Sequence, residues 1–138
     1  MANITRIDAQ IKTTGSGGAG TDGDVYLAIG GREFYIDSDS EDFDANGNRT
    51  YTFGNGANVK FANTNNPSTP FQLLTEDLNR YPVYLRFHPR DRDDNWNLSE
   101  VDVKVNPGPG EVRFRALAGN NNLWLGTHSG LYCYLTRS

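Results

Sequence analysis

The chain has 138 residues, with 17 acidic and 13 basic side chains and a formal net charge of -4 at pH 7. Its length suits one domain, and its acidic balance argues against nucleic acid as a partner, because phosphate contacts require a basic surface. A single cysteine, Cys133, excludes an internal disulfide bond and paired-cysteine zinc sites. We therefore expect one domain over residues 1–138, with its core between residues 4 and 136.

The sequence contains no apolar run long enough to cross a membrane. The first residues, Met1 to Asp8, also lack the apolar segment of a signal peptide. We expect a soluble protein without a transmembrane segment. The sequence leaves open whether a signal peptide was removed, and it does not decide between the cytoplasm and secretion.

The amino-terminal part of the chain predicts three strands. Apolar and polar residues alternate from Ile7 to Thr13 and again from Val25 to Ile29, which is typical of strands with one wet face. A third strand is predicted from Arg32 to Asp37.

Two acidic loops flank the second and third predicted strands. The first is rich in glycine and contains Thr21 and Asp22, and the second carries four carboxylates within the six positions from Asp37 to Asp42. Carboxylates this close repel one another unless a cation neutralises them, and Ca²⁺ accepts about six to eight oxygen ligands with little demand on geometry. The alternative is a pair of solvated turns, because Asp, Ser and Gly favour turns for conformational reasons alone.

The middle of the chain is rich in turn residues. A strand is predicted from Arg49 to Phe53 and a short one from Asn58 to Phe61, so that two hairpins are expected around the glycines between them. Residues 62–70 predict an exposed loop, and a single helical turn is expected between Phe71 and Asn79.

The carboxy-terminal half predicts further short strands with polar turns between them. They cover Val83 to Phe87, Val101 to Val105, Val112 to Ala116 and two segments within residues 123–135, and a further acidic loop spans residues 90–96. Eight or more evenly spaced short strands indicate an all-β antiparallel sandwich or barrel. The residues expected to face the core are Val25, Leu27, Val83, Leu85, Phe87, Val101, Val103, Phe114, Trp124 and Leu125.

The sequence shows no catalytic constellation. His88 and His128 lie far apart and have no matching Ser or Cys motif, and Cys133 is expected to be a buried, inert thiol. The alternative is a small β-sandwich enzyme, a cyclase, isomerase or hydrolase with a loop-borne active site. That alternative requires an apolar pocket with converging polar groups.

Four short motifs follow one another along almost the whole chain, from about Ile4 to Leu135. They are Ala19-Gly20-Thr21-Asp22, Asp42-Phe43 followed by Thr50-Tyr51-Thr52-Phe53, Trp96-Asn97-Leu98, and Trp124-Leu125. In order and spacing they resemble the PLAT (lipoxygenase-homology) family, which is found in lipoxygenases, lipases and the C-terminal domain of alpha-toxin phospholipases. The resemblance implies an eight-stranded antiparallel β-sandwich with Trp96 in its core. It also implies a docking role toward lipid or a partner protein.

The resemblance to the alpha-toxin-like members also implies positions for metal ligands. They are Gly20, Thr21 and Asp22, then Asp37, Ser40, Glu41 and Asp42, then Asp94 and Asn95, with Gly20, Ser40 and Asn95 acting through their carbonyl groups. Gly18 belongs to the same set but stands where those members carry an acidic ligand, which weakens the site it shares with Asp94. Removing Asp42 is expected to abolish most of a calcium effect and to stabilise the metal-free form slightly, because a like charge is lost.

The same comparison predicts weak bilayer binding. Asp24 and Arg92 stand where those members carry membrane-entering aromatic residues, which leaves Phe71 and Tyr81 as exposed candidates. Five arginines form either a patch for lipid phosphates or an acidic partner, or part of a solvated sheet face; they are Arg86, Arg90, Arg92, Arg113 and Arg115. We therefore expect a standalone calcium-binding interaction module that docks a protein partner or an anionic lipid head group.

Overall fold

The computed structural model describes residues 2–116 and 123–138. The predicted domain range of 1–138 also includes residues 1 and 117–122, which lie outside the described residues. The described residues contain nine strands: β1 (Arg6–Thr13), β2 (Asp24–Ile29), β3 (Arg32–Ile36), β4 (Asn48–Gly54), β5 (Tyr84–His88), β6 (Trp96–Val105), β7 (Val112–Ala116), β8 (Leu123–Leu125) and β9 (Tyr132–Arg137). The expected helical turn is present as a 3₁₀ segment over Thr75–Asn79.

The strands pair antiparallel in the order β3-β2-β5-β9-β7-β6-β1-β4, with β8 added beside β6. Strand β9 joins the two layers, because its first half pairs with β5 and its second half pairs with β7. The predicted all-β antiparallel sandwich is confirmed. The three-residue strand β8 brings the number of strands in the described part of the chain to nine, where eight were expected.

The core lies between the two layers and is organised around Trp96. This side chain is fully buried, its indole N–H donates to the Thr13 hydroxyl at 2.9 Å, and the rings of Phe43 and Phe87 pack against it at centroid distances of 5.2 and 5.7 Å. The bond to Thr13 satisfies the one polar group of the indole, as burial requires. The expectation that Trp96 belongs to the core is confirmed.

The predicted inward residues are buried with one exception. Trp124 is 38% exposed, whereas its neighbour Leu125 is 1% exposed. Adjacent side chains of a strand point to opposite faces, so only one of the two can enter the core once β8 pairs with β6. The prediction that both face inward was wrong for Trp124.

The prediction of a strand from Asn58 to Phe61 was also wrong. Strand β4 pairs with β1, and the Asn58 side chain accepts from the Thr52 N–H at 2.8 Å and donates to the Thr50 carbonyl at 2.9 Å. This side chain therefore bonds the open edge of β4 in place of another strand.

Arg32 holds the long loop that follows β4. Its guanidinium donates to the backbone carbonyls of Thr64, Asn66, Thr69 and Phe71 at 2.9 to 3.4 Å. These four loop carbonyls, which have no strand partner, thus accept hydrogen bonds from one side chain.

Candidate functional site

Three loops meet at one end of the sandwich. We call them loop A (residues 14–23), loop B (residues 37–47) and loop C (residues 89–95). Strand β2 begins where β3 and β5 end, because Val25 pairs with Ile36 and Asp24 pairs with His88. Antiparallel pairing therefore places all three loops at the same edge.

Glycines in loop A allow the three loops to approach closely. A Cβ atom at Gly23 would lie 2.7 Å from the His88 carbonyl oxygen and 2.9 Å from a carboxylate oxygen of Asp94. A Cβ atom at Gly20 would lie 3.0 Å from the Phe43 carbonyl oxygen, which accepts from the Thr21 N–H at 3.1 Å. Larger residues at these positions would push the loops apart.

The loops are unusually acidic for their length. Loops A, B and C carry nine of the 17 acidic residues of the chain but only two of its 13 basic residues, Arg90 and Arg92. Lys60 adds one more cation at the edge of loop B, with its ammonium 3.7 Å from the Asp37 carboxylate. The loop end therefore carries a surplus of negative charge that the protein itself does not balance.

Loops A and C, together with Asp44 and Ala45 of loop B, line a first cleft of about 750 Å³. The Thr21 hydroxyl donates to the Asp94 carboxylate, whose oxygens lie at 2.7 and 2.8 Å, and the Arg90 N–H donates to the same carboxylate at 2.8 Å. Asp94 therefore joins loops A and C. Asp22 projects into the cleft with 79% of its side chain exposed, 3.6 Å from the Arg90 guanidinium.

Loop B folds around the Asp42 carboxylate and lines a second cleft of about 310 Å³. This carboxylate accepts from the Ser38 N–H at 2.9 Å, the Ser38 hydroxyl at 2.7 Å and the Tyr51 hydroxyl at 2.8 Å. Burial and the nearby Asp42 carboxyl raise the pKa of Asp37, against the opposing effect of Lys60. The Asp37 and Asp42 carboxyl groups therefore lie close together inside loop B.

A second group of neighbouring carboxyl groups includes residues of loops A and B. Contact with the Asp44 carboxyl raises the pKa of Glu41, and the Asp22 charge adds to the effect. Ionised, these groups repel one another, and a proton or an external cation relieves the repulsion.

The structure distributes the predicted metal residues over the two clefts. Gly18, Gly20, Thr21, Asp22 and Asp94 line the first cleft, and Asp37, Ser40, Glu41 and Asp42 line the second, which Thr21 and Asp22 also border. Asn95 directs its amide toward the Asp93 carbonyl at 3.2 Å. Within residues 2–116 and 123–138, no three Asp, Glu, His or Cys side chains stand close enough together to hold a metal ion.

Sequence reasoning missed several residues of the loop end. Asp44, Asp91 and Asp93 line the first cleft, and each belongs to an acidic run that the sequence displays openly. Tyr51, which donates to Asp42, lies in β4 and gives no local signal. Only the fold brings it beside loop B.

The five arginines do not form one patch. Arg90 and Arg92 lie in loop C, whereas Arg86, Arg113 and Arg115 lie on the sheets, where each forms an ion pair with a carboxylate. The alternative interpretation, a solvated sheet face, is the one that fits these three arginines.

The exposed aromatic candidates lie far from the acidic loops. Phe71 is 75% exposed and Tyr81 is 47% exposed, as expected. Tyr81 packs beside the Gly31 backbone, and the Phe71 carbonyl accepts from Arg32 at 3.4 Å. Both therefore lie near the β2–β3 turn, at the opposite end of the sandwich from loops A, B and C.

Cys133 is buried, as expected, and the two histidines lie at the surface. Cys133 is 4% exposed, and burial raises the pKa of its thiol to about 11, so it stays a neutral thiol at physiological pH. His88 and His128 are both exposed. Among the described residues, no helix is long and apolar enough to span a bilayer.

Comparison with solved structures shows a shared fold. Alpha toxin from Clostridium absonum matches with a TM-score of 0.63 and 25% identity, over 97% of this chain and 31% of the toxin. Alpha-toxin from an avian strain of Clostridium perfringens matches with a TM-score of 0.61 and 22% identity, over 96% of this chain and 31% of that one. A lipoxygenase structure in complex with arachidonate matches with a TM-score of 0.58 and 14% identity, over 96% of this chain and 16% of the enzyme.

No family model and no curated protein sequence matches the chain. The chain spans about a third of the length of the alpha toxins that it matches. Its fold is shared with alpha toxins and a lipoxygenase, which is consistent with a PLAT-like domain.

Proposed function

We propose that this chain is an interaction module whose acidic loop end takes up calcium and docks an anionic group of a protein partner. The observation that carries the proposal is the convergence of loops A, B and C, which concentrates nine carboxylates at one end beside few cations. The likeness of the fold to alpha toxins and lipoxygenase supports a lipid or protein interaction module.

The ligand chemistry of the loops suits a hard cation. Asp22, Asp44 and Asp93 line the first cleft, and Gly18, with φ of +75°, lies at its edge in a turn that exposes backbone carbonyl groups. Calcium, when bound, would neutralise these carboxylates, and it prefers oxygen ligands. Because the described side chains form no closed carboxylate cage, backbone carbonyls and an oxygen from the partner would complete the set.

Two carboxylates hold the loops in place rather than pointing freely into the clefts. Asp94 joins loop C to Thr21, and Asp42 joins loop B to Tyr51. These hydrogen bonds fix the spacing of the clefts in the absence of metal and reduce the ordering cost of binding.

Bilayer docking is less favoured by the geometry. Phe71 and Tyr81 lie at the opposite end from loops A, B and C. Two further exposed aromatic residues lie nearer to these loops: Phe61, 65% exposed, follows Lys60 beside loop B, and Trp124, 38% exposed, pairs with Asn97 close to loop C. At the loop end, Asp24 accepts from the Tyr35 hydroxyl at 2.9 Å, and Arg92 is charged. Phe71 and Tyr81 therefore cannot insert into the membrane surface that calcium would bridge at loops A, B and C.

Thermal unfolding in chelator and in millimolar calcium tests the proposal. A ligand at about a hundredfold excess over its dissociation constant adds about 2.7 kcal/mol, which corresponds to a rise of about 5 to 10 °C in Tm for a domain of this size. Magnesium should do less, because it requires nearly octahedral coordination. The double variant Asp22→Asn/Asp44→Asn should lose most of the rise.

Glu76→Gln is the matched control for this experiment, because Glu76 lies in the 3₁₀ segment outside loops A, B and C and its removal should leave the calcium response unchanged. An unchanged wild-type Tm, together with no heat on calcium titration, would contradict calcium binding. Co-sedimentation with phosphatidylserine vesicles should show weak binding; strong calcium-dependent pelleting would instead make lipid the partner.

A further inference from the structure

The outer face of the layer β3-β2-β5-β9 carries two rows of side chains that run across the strands. The first row is Tyr35, Tyr26, Arg86 and Tyr132, and the second is Glu33, Ala28, Tyr84 and Tyr134. Five of the seven tyrosines of the chain lie in these eight positions. We call this surface the tyrosine face.

The tyrosine rings form two groups on this face, with Arg86 between them. Tyr26 and Tyr35 lie 5.3 Å apart between ring centroids, and Tyr84 lies 5.3 Å from Tyr132 and 5.8 Å from Tyr134. The Arg86 guanidinium lies 4.1 Å over the Tyr26 ring. Arg86 also pairs in register with Tyr132 and so lies between the two groups of rings.

The tyrosine face is exposed at the β9 side. Tyr132 is 48% exposed and Tyr134 is 63% exposed, and their rings stack at 6.3 Å with an interplanar angle of 20°. An outward sheet face in contact with water normally carries polar residues. Exposed aromatic surface at adjacent positions is therefore a candidate contact surface.

Within the eight positions of the tyrosine face, the one basic and the one acidic side chain pair with each other. The Arg86 guanidinium donates to both Glu33 carboxylate oxygens at 2.8 to 3.2 Å, and the Tyr84 hydroxyl donates to the same carboxylate at 3.0 Å. A phosphate chain would find no free cation here and would meet a protein of net charge -4. Charge complementarity therefore favours an uncharged ligand.

We propose that the tyrosine face binds a neutral polysaccharide. Pyranose rings present apolar C–H faces that stack on aromatic rings, and their edge hydroxyls match the hydrogen-bonding capacity of tyrosine hydroxyls and of the Arg86–Glu33 pair. Four adjacent strands span roughly 14 Å, which accommodates several consecutive sugar units laid flat.

The test measures retention of the purified chain on insoluble cellulose, xylan and amylose, with calcium and with chelator. Wild type should bind at least one of these neutral polysaccharides equally under both conditions. The double variant Tyr132→Ala/Tyr134→Ala should bind about tenfold more weakly or worse, because two exposed stacking rings are lost. Independence from calcium separates this proposal from the function of the loop end.

Tyr81→Ala is the matched control, because that ring is 47% exposed at the end of the sandwich remote from the acidic loops and outside the tyrosine face. The single variant Tyr134→Ala, at the more exposed ring, supplies a second reading if the double variant melts early. The proposal is overturned if wild type binds none of the three polysaccharides, or if the double variant binds as well as wild type. A concentration-dependent dimer that the double variant abolishes would assign the face to a second copy and also overturn it.

Discussion

The carboxylates on the sheet faces and those at the loop end have different partners. On the faces, hydrogen bonds from Arg113 hold the pKa of Asp102 below its ordinary value, and hydrogen bonds from Arg86 do the same for Glu33. Each of these carboxylates lies beside a cation that the fold itself supplies.

At the loop end, carboxyl pKa values are raised instead of lowered. Burial and the Asp42 carboxyl raise the pKa of Asp37, and contact with the Asp44 carboxyl raises the pKa of Glu41. Lys60 and Arg90 approach this region only at 3.6 Å or more. Glu33 and Asp102 are therefore neutralised by cations of the fold itself, whereas the carboxylates of the loop end are balanced only when a cation binds from outside.

The largest expected effect comes from removing Asp42, which looks like one more repelling charge but accepts three hydrogen bonds. Asp42→Ala should lower the free energy of unfolding in chelator by about 3 kcal/mol, because each lost bond contributes about 1 kcal/mol. Urea unfolding measures the change, and Asp39→Ala, at a 97% exposed side chain, is the control. A more stable Asp42→Ala would restore the like-charge interpretation.

A smaller loss is expected when a completed pair on a sheet face is broken. The Asp102 side chain is 8% exposed, but Arg113 is 36% exposed, so water weakens the attraction between them. Asp102→Asn should cost about 1 to 2 kcal/mol by urea unfolding, whereas Glu100→Gln, at a half-exposed pair with Lys12, should change stability little. Equal effects of the two variants would show that burial of Asp102 does not matter.

The smallest effect is a difference in pH dependence. A carboxyl with a raised folded pKa costs stability as pH rises above its ordinary value, 3.8 for Asp37, because the native state holds that proton longer than the unfolded chain does. Asp37→Asn should therefore gain stability relative to wild type as pH rises through this range in chelator, by less than about 1 kcal/mol.

Asp102 should behave in the opposite sense. Its lowered pKa contributes stability that is present above its ordinary value of 3.8 and is lost as pH falls through the folded value. The penalty of Asp102→Asn should therefore shrink in acid. Parallel pH profiles for Asp37→Asn and Asp102→Asn would remove the distinction between the loop end and the sheet faces.

The alternation of apolar residues was sufficient to predict most strands and the sandwich. It failed where local pattern does not decide: Trp124 and Leu125 are both apolar, and the pairing of β8 with β6 selects which one is buried. It failed again at Asn58, whose side chain bonds the β4 edge that another strand was expected to cover.

The sites show a similar division. The acidic loops are visible in the sequence, and antiparallel topology brings them together. The hydrogen bond from Tyr51 to Asp42 and the alignment of tyrosines from four strands depend on register between distant segments. In the sequence, these tyrosines are outward-facing residues of separate strands, and nothing local indicates that they align.

Strand β9 belongs to both layers, since Tyr134 pairs with Tyr84 in β5 and Leu135 pairs with Ala116 in β7. During synthesis, neither layer can complete its backbone pairing until β9 has left the ribosome. Until then, β5 and β7 each lack β9 as a pairing partner. When β9 pairs, both layers gain this partner together. Completion of the sandwich is therefore expected to be a late event in folding, because β9 forms pairings between segments distant in the sequence.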